Sequence, residues 1–229
     1  MNAPSPPAGP GSGALYRALV GIGSVCALLI VSAYLLTGPS IARNRAELLH
    51  RAVFAVLPGS ERIQPMRLDA AGQVGPAAPG EAAAFYLGLD AGGRAVGVAI
   101  EASGMGYQDL IGLIYGYAPE RGQVTGMRVL SSRETPGLGD RILTDPLFVD
   151  SFRGLAVPLS ADGARVAHPA EAVAAGTRRE PWQFDAITGA TISSRAIAAI
   201  IAASTADWAP RLQAQAARLQ GGPDGPGAP

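Results

Sequence analysis

The chain has 229 residues, 48% of them hydrophobic and 16% charged, and its 18 basic side chains are balanced by 18 acidic ones. That balance leaves no electrostatic footprint for a nucleic-acid partner, and because every basic residue is arginine, lysine nucleophiles and Schiff bases are excluded. The one cysteine, Cys26, can form neither an internal disulfide nor an iron–sulfur site, which takes about four thiolates, and His50 and His168 are too isolated to suggest a metal site, so redox chemistry here needs an organic cofactor.

Residues 1–13 are Pro, Gly, Ser and Ala with almost no charge, a composition that cannot bury enough surface to fold, and they read as a disordered tail. Residues 14–36 are overwhelmingly apolar, with Arg17 close to one end. About 22 residues of helix reach ~33 Å, enough to cross a bilayer core, and Tyr16 and Tyr34 suit its two interfaces. The segment reads as a single-pass transmembrane anchor; the rival is a cleaved signal peptide with Val31-Ser32-Ala33 as its cleavage site. Arg43, Arg45 and Arg51 follow the span and Arg17 alone precedes it, so a count of positive charges puts the large domain in the cytoplasm. Residues 37–58 read as an amphipathic linker helix with Ile41, Leu48, Leu49, Ala52, Val53 and Val56 on its apolar face, ended by Pro58-Gly59. Such a helix serves either as a stalk or as an interfacial helix lying on the membrane.

Residues 81–219 form the expected globular domain. Residues 69–80 read as a Pro/Gly/Ala-rich loop, and strands follow at 83–89 and 95–102 around the turn residues Asp90-Ala-Gly-Gly93. Two more are expected in the second half of 104–117 and at 124–130, with a turn at 119–122. Short consecutive strands joined by tight turns predict an α+β fold, an antiparallel sheet packed with helices. The glycines thin one face of that sheet, admitting either a neighbouring backbone or a flat ring. A glycine-containing loop, Glu134-Thr-Pro-Gly-Leu-Gly139, comes next, with Pro136-Gly137 fit for a type II turn. A short helix is expected at 145–152, capped by Thr144 or Asp145 with Pro146 in its first turn, and 155–176 reads as surface strand and helix without obvious chemistry. Trp182 and Phe184 are assigned to the core, with contact to a ligand as the alternative, a final helix to 194–219 with Pro210 as a possible break, and 220–229 to a second disordered tail.

Before that final helix stands Asp185-Ala-Ile-Thr-Gly-Ala-Thr191, followed by Ile192-Ser193-Ser194-Arg195. Ile197, Ile200 and Ile201 have helical spacing, so Thr191 falls where a loop enters a helix, and unpaired N–H groups at a helix start favour a phosphate. Gly189 and Ala190 leave the Thr191 hydroxyl open. The bland alternative makes Ser193 or Ser194 an ordinary N-cap and Gly189 a turn.

The Asp-x-x-Thr-Gly-Ala-Thr pattern resembles the site at which a flavin transferase joins FMN to a threonine hydroxyl through a phosphoester in the G subunit of Rnf electron-transport complexes. Glu134-Thr-Pro-Gly-Leu-Gly139 is similar to the second hallmark of the same FMN-binding domains, and Gly106-Tyr107 with Leu110-Ile111 to a third. The resemblance implies that Thr191 is the acceptor, that Gly189 and Ala190 clear space, and that Thr188 and Ser194 hydrogen-bond the phosphate region. It also implies that Asp185 orients the loop or aids modification. Glu134, Thr135, Leu138 and Gly139 are placed along the flavin ring, with Glu134 as a loop cap in the alternative, and Tyr107 either stacks on the ring or belongs to the core. No catalytic residue and no metal ligand is assigned.

By the same resemblance the chain is a membrane-anchored flavoprotein electron carrier whose complex couples electron transfer between ferredoxin and NAD to ion translocation. Its partners are the other Rnf subunits, the flavin transferase and the membrane; it sits in the cell inner membrane with the flavin domain on the periplasmic side, against the charge count. Three rivals remain open: the C subunit of a sodium-translocating NADH:quinone reductase, a flavin-binding sensor or scaffold without turnover, and a Thr191 that is only phosphorylated or only caps the helix.

Overall fold

A computed structural model describes residues 12–69, 72–78 and 80–220; the two expected tails, 1–13 and 220–229, lie outside the described residues except for Ser12 and Gly13, which begin the first helix, and Gln220, which ends the last. Met1–Glu47 and Leu48–Pro229 are two separate units. The first element, α1 (Ser12–Val56), is a single helix of 45 residues. It takes in both the expected span and the expected linker helix, running on through Thr37-Gly-Pro39-Ser, where proline removes one backbone donor. In the first unit the large apolar side chains, Leu15 and Leu19 through Leu35 and Leu36, are exposed. A helix apolar all round and this long is fit to cross a bilayer.

In the second unit the strands are β1 (Arg62–Leu68), β2 (Val74–Pro76), β3 (Phe85–Leu89), β4 (Ala95–Met105), β5 (Leu110–Ala118) and β6 (Gln123–Ser131). Two short helices follow, α2 (Arg141–Thr144) and α3 (Pro146–Asp150), then β7 (Leu155–Ala156), β8 (Glu171–Val173), β9 (Gln183–Asp185), α4 (Thr191–Ala214) and α5 (Ala216–Gln220). Seven strands form one antiparallel sheet in the order β2-β1-β3-β4-β5-β6-β7, and β8 pairs with β9 in parallel. The α+β class and the four middle strands are those expected from the sequence. β1 was not anticipated, and β2 lies inside the stretch expected to be loop; its Gly-Pro content suits the sheet edge it occupies, where a missing donor costs nothing.

The main core lies between the sheet and α4, where Phe85, Leu87, Val98, Ile100, Leu113, Tyr115 and Met127 meet Ile197, Ile201 and Leu212. A second, smaller cluster joins Ala52, Val53, Val56 and Leu57 to Ala99 and Ile114. Here the sheet glycines find their use: a β-carbon at Gly116 would collide with the Val56 carbonyl and Thr125 Oγ1, and one at Gly126 would touch Val56 Cα at 3.4 Å. Thr125 Oγ1 donates to the Val56 carbonyl at 2.5 Å. Of the two approaches that the glycines admit, a neighbouring backbone is the one realised. Ala52, Val53 and Val56 are buried and Leu49 packs at the margin, but Ile41 and Leu48, expected on the same apolar face, are exposed.

Other expectations shift. Asp145 caps α3 by accepting from Phe148 N at 3.2 Å, with Pro146 in the first turn as expected. Residues 155–176 contain β7, β8 and turns, and no helix. Helix α4 starts at Thr191, carries Pro210 internally and ends at Ala214 with Gln215 as its C-cap, so the break falls after the proline. Phe184 is fully buried; Trp182 is only partly so, and it stacks on His168 with ring centroids 4.0 Å apart and planes 10° apart.

Candidate functional site

Three distant stretches meet around one carboxylate. Glu134 is 5% exposed, and its Oε1 accepts from Gln108 N at 3.0 Å, in the tip of the β4–β5 hairpin. Its Oε2 accepts from the Ser193 hydroxyl at 2.5 Å, in the first turn of α4. Burial pushes its pKa up, but hydrogen bonds from the Ser193 hydroxyl and from the backbone N–H groups of Gln108, Tyr107 and Asp109 outweigh that and hold it below the usual glutamate value. Glycines make the room: a β-carbon at Gly139 would stand 2.7 Å from Glu134 Oε2 and 2.8 Å from Ser193 Oγ, and one at Gly106 would collide with Glu134 Oε1. Thr135 Oγ1 donates to Gln108 Oε1 at 3.1 Å, tying the loop again to the hairpin tip. Leu138 N donates to the Thr135 carbonyl at 3.2 Å across Pro136-Gly137, and Gly137 has φ of 76°, the geometry of the expected type II turn.

The Thr188–Thr191 loop is held from both sides. Arg141 Nη1 donates to the Thr188 carbonyl at 3.0 Å while Nη2 donates to Asp145 Oδ2 at 3.0 Å. Ser194 Oγ donates to the Ala190 carbonyl at 2.9 Å and accepts from Ile187 N at 3.1 Å. Asp185 Oδ1 accepts from Gly176 N at 3.0 Å, fixing the β8–β9 connection. Ala190 occupies the N-cap position of α4 without a side-chain hydrogen bond, so no capping side chain satisfies the N–H groups at the positive end of this helix. Thr191, the first helical residue, is exposed. It lines a cleft of about 150 Å³ with Val173, Ala174, Ile187, Thr188 and Arg195.

Several of the expected site residues stand differently from their assignment. Ser194 is fully buried and its hydroxyl is committed to the loop backbone, so it shapes the loop and does not face a ligand; neither it nor Ser193 is the N-cap. Ala190 packs its methyl into the core at 4% exposure and clears no surface space. Gly189 has φ of 88°, a backbone conformation that L side chains rarely adopt, and no protein atom lies within 4 Å of where a β-carbon would stand. Glu134 is sequestered beneath the surface. Thr188, Thr191, Leu138 and Tyr107 are exposed, Leu138 at 54% and Tyr107 at 66%, which removes Tyr107 from the core. Ser193, Arg141, Arg195 and the β8 wall of the cleft are not among the residues expected at the site. The fold brings Arg141 and β8 to Thr191, whereas Arg195 follows it by one helical turn, a spacing the sequence already carries, as it does that of the Arg141–Asp145 ion pair.

The residues present fit a flavin nucleotide. An open hydroxyl, an uncapped helix start and the Arg195 guanidinium in the cleft suit a phosphate, and exposed Leu138, Tyr107 and Ile192 offer apolar surface to a planar ring.

Comparison with known proteins accords with this geometry. The family model described as "FMN-binding domain" matches residues 106–205, from the hairpin tip into α4. The G subunit of the ion-translocating oxidoreductase complex of Methanosarcina acetivorans is 30% identical over 179 residues, 78% of this chain and 85% of that protein. Its namesake in Pseudomonas aeruginosa is 35% identical over 192 residues, 79% of this chain and 78% of that protein. Among solved structures, the C subunit of the Na(+)-translocating NADH-quinone reductase of Parabacteroides distasonis superposes with a TM-score of 0.58 at 16% identity, covering 76% of this chain and 96% of that one. NqrC of Shewanella oneidensis does so at 0.55 and 19%, covering 78% and 98%. The two structures share the fold.

Proposed function

Since the chain belongs to the family of the G subunit of ion-translocating oxidoreductase complexes, we propose that it is the membrane-anchored electron-carrying flavoprotein of an Rnf-type complex, with FMN joined through its phosphate to Thr191. The family gives the coarse statement, a redox subunit of a multisubunit complex with an FMN-binding domain. The acceptor residue, the linkage, the topology and the named partners belong to the proposal. What supports the linkage is the exposed Thr191 hydroxyl at the first position of a long helix whose start has no side-chain cap.

A flavin supplies one- and two-electron chemistry that no side chain here provides. The protein's own groups do the rest. The helix start would hold the phosphate, Arg141 and Ser194 keep the loop in shape, and Glu134 keeps the hairpin tip, the Thr135–Gly139 loop and α4 in register. Leu138, Thr135 and Tyr107 would border the ring. A phosphoester removes dissociation as a route of loss and leaves the ring system unmodified. α1 anchors the chain in the cell inner membrane in a single pass, with the flavin domain on the periplasmic side; the positive-charge count weakens for long translocated domains. Coupling to ion movement and exchange with ferredoxin and NAD fall to partner subunits, and a flavin transferase matures the site.

The test is covalent labelling. Full-length protein made together with the transferase is expected to fluoresce as a flavoprotein in a denaturing gel and to gain one FMN in intact mass. Thr191→Ala is expected to lose both while melting at the wild-type temperature, because the hydroxyl is exposed and makes no structural hydrogen bond. An adduct that survives in Thr191→Ala removes the assignment.

A further inference from the structure

The cleft beside Thr191 has one charged lining residue, Arg195. Threonine and arginine stand at i and i+4 on α4, so they share a face of the helix one turn apart, and both are exposed. The other walls, including Val173, Ala174, Ile187 and Thr188, carry no acid that could neutralise the guanidinium. Among the described residues that guanidinium makes no hydrogen bond or ion pair. The neighbouring arginines differ: Arg141 is committed to the Thr188 carbonyl and Asp145, and Arg211, further along α4, is paired with Asp207. The cleft therefore combines an uncommitted cation with the positive end of a helix and an open hydroxyl.

We infer that Arg195 is the phosphate-binding residue of this site, engaging the nucleotide phosphate while Thr191 is esterified and neutralising the phosphodiester afterwards. This rests on Thr191 being the acceptor. In the transfer, Thr191 Oγ forms a bond to phosphorus and loses its proton to solvent or to a base of the transferase. The phosphoanhydride bond of the donor, a flavin dinucleotide, breaks, and the departing nucleoside monophosphate takes the electron pair. Negative charge gathers on the non-bridging oxygens as this happens, and a guanidinium can meet two of them at once. The finished diester keeps one negative charge at neutral pH, which the same group balances.

The experiment uses full-length, flavin-free protein in detergent, purified transferase and flavin dinucleotide, with covalent fluorescence followed in time. Arg195→Gln is expected to lower the initial labelling rate about tenfold, and Arg195→Lys to restore part of it. Added salt should slow wild type more than Arg195→Gln, and the phosphorus-31 resonance of the adduct should move between the two. Arg121→Gln, at the β5–β6 turn, controls for loss of a positive charge elsewhere and should label at the wild-type rate. Wild-type labelling and an unmoved resonance in Arg195→Gln would overturn the inference, as would an equal slowing in Arg121→Gln. Thr191→Ala, run in parallel, separates the two ideas: if it labels, the acceptor reading fails whatever Arg195 does, and if it stays dark while Arg195→Gln labels normally, only the role of Arg195 is lost.

Discussion

Where the last turns of α1 meet the sheet, Gly116 and Gly126 let the Val56 backbone come close; around Thr191, Gly137 and Gly189 have nothing within 4 Å of where a β-carbon would stand and differ instead in carrying positive φ. The first region is closed. Val53, Val56 and Leu57 are at most 1% exposed there, and Thr125 meets the carbonyl that the helix leaves over. The second is open. Beyond α1, the exposed large apolar side chains among the described residues are Met105, Tyr107, Leu110, Leu138, Leu143, Leu147 and Ile192, all from the hairpin tip, the Glu134 loop, α2, α3 and the first turn of α4. One region devotes its sequence to stability, and the other leaves surface and dipole unsatisfied, as a site that must receive a ligand requires.

The sharpest way to break this contrast is to fill the closed region. Gly116→Val is expected to cost about 3 kcal/mol or more, since the new side chain has no free volume and the colliding atoms are backbone and a bonded hydroxyl. The melting temperature of the full chain in detergent should fall sharply, with covalent labelling lost only through unfolding. A small change in melting would mean that the α1 end is loosely docked and that the second cluster contributes little.

Next in size is the one element of the open region built like the closed one. Glu134→Ala leaves the Ser193 hydroxyl and the Gln108 N–H without their acceptor and should cost about 2 kcal/mol. The charge has its own signature. A carboxyl group whose pKa is lower folded than unfolded adds stability above its ordinary value, and that stability is lost as pH falls through the lowered folded value. Acid titration of the melting temperature should therefore show a fall in wild type that is reduced in Glu134→Gln, which keeps much of the shape and drops the charge. Equal acid sensitivity in the two would place the destabilising protonation elsewhere.

The same contrast explains what could be read from the residues alone. β3 to β6 announce themselves through β-forming runs between turn residues, and Pro136-Gly137 specifies its turn, because these signals are local. β2 is three residues long with a glycine and a proline, and β8 is equally short, so neither has a pattern to detect. The motifs mark the stretches that the fold brings together, but not how their members face. Glu134 reads as a neighbour of the flavin ring or a loop cap because the partners that bury it lie 26 and 59 residues away. Ser194 looked like a ligand group because nothing in its neighbourhood says that its hydroxyl turns back to Ile187 and Ala190. Arg195 follows Thr191 by one turn of α4, but the β8 wall that makes a cleft of that face becomes part of the site only when the β8–β9 pair is folded beside α4.

Gly189 provides the smallest and most discriminating test. Its φ of 88° lies where an L side chain is strained, while the space around it is empty. Gly189→Ala should thus cost about 1 kcal/mol, from conformation alone, far less than even Gly116→Ala, where the added atom collides. Covalent labelling should respond differently from stability. If the loop relaxes toward negative φ to relieve the strain, the Thr188 carbonyl leaves Arg141 and the Thr191 hydroxyl changes its aim, so the labelling rate falls more than the small loss in melting temperature accounts for. If labelling and melting instead change in proportion, or if Gly189→Ala destabilises as much as Gly116→Ala, then room and not conformation limits this loop, and the division between the two kinds of glycine fails at the residue where it matters most for function.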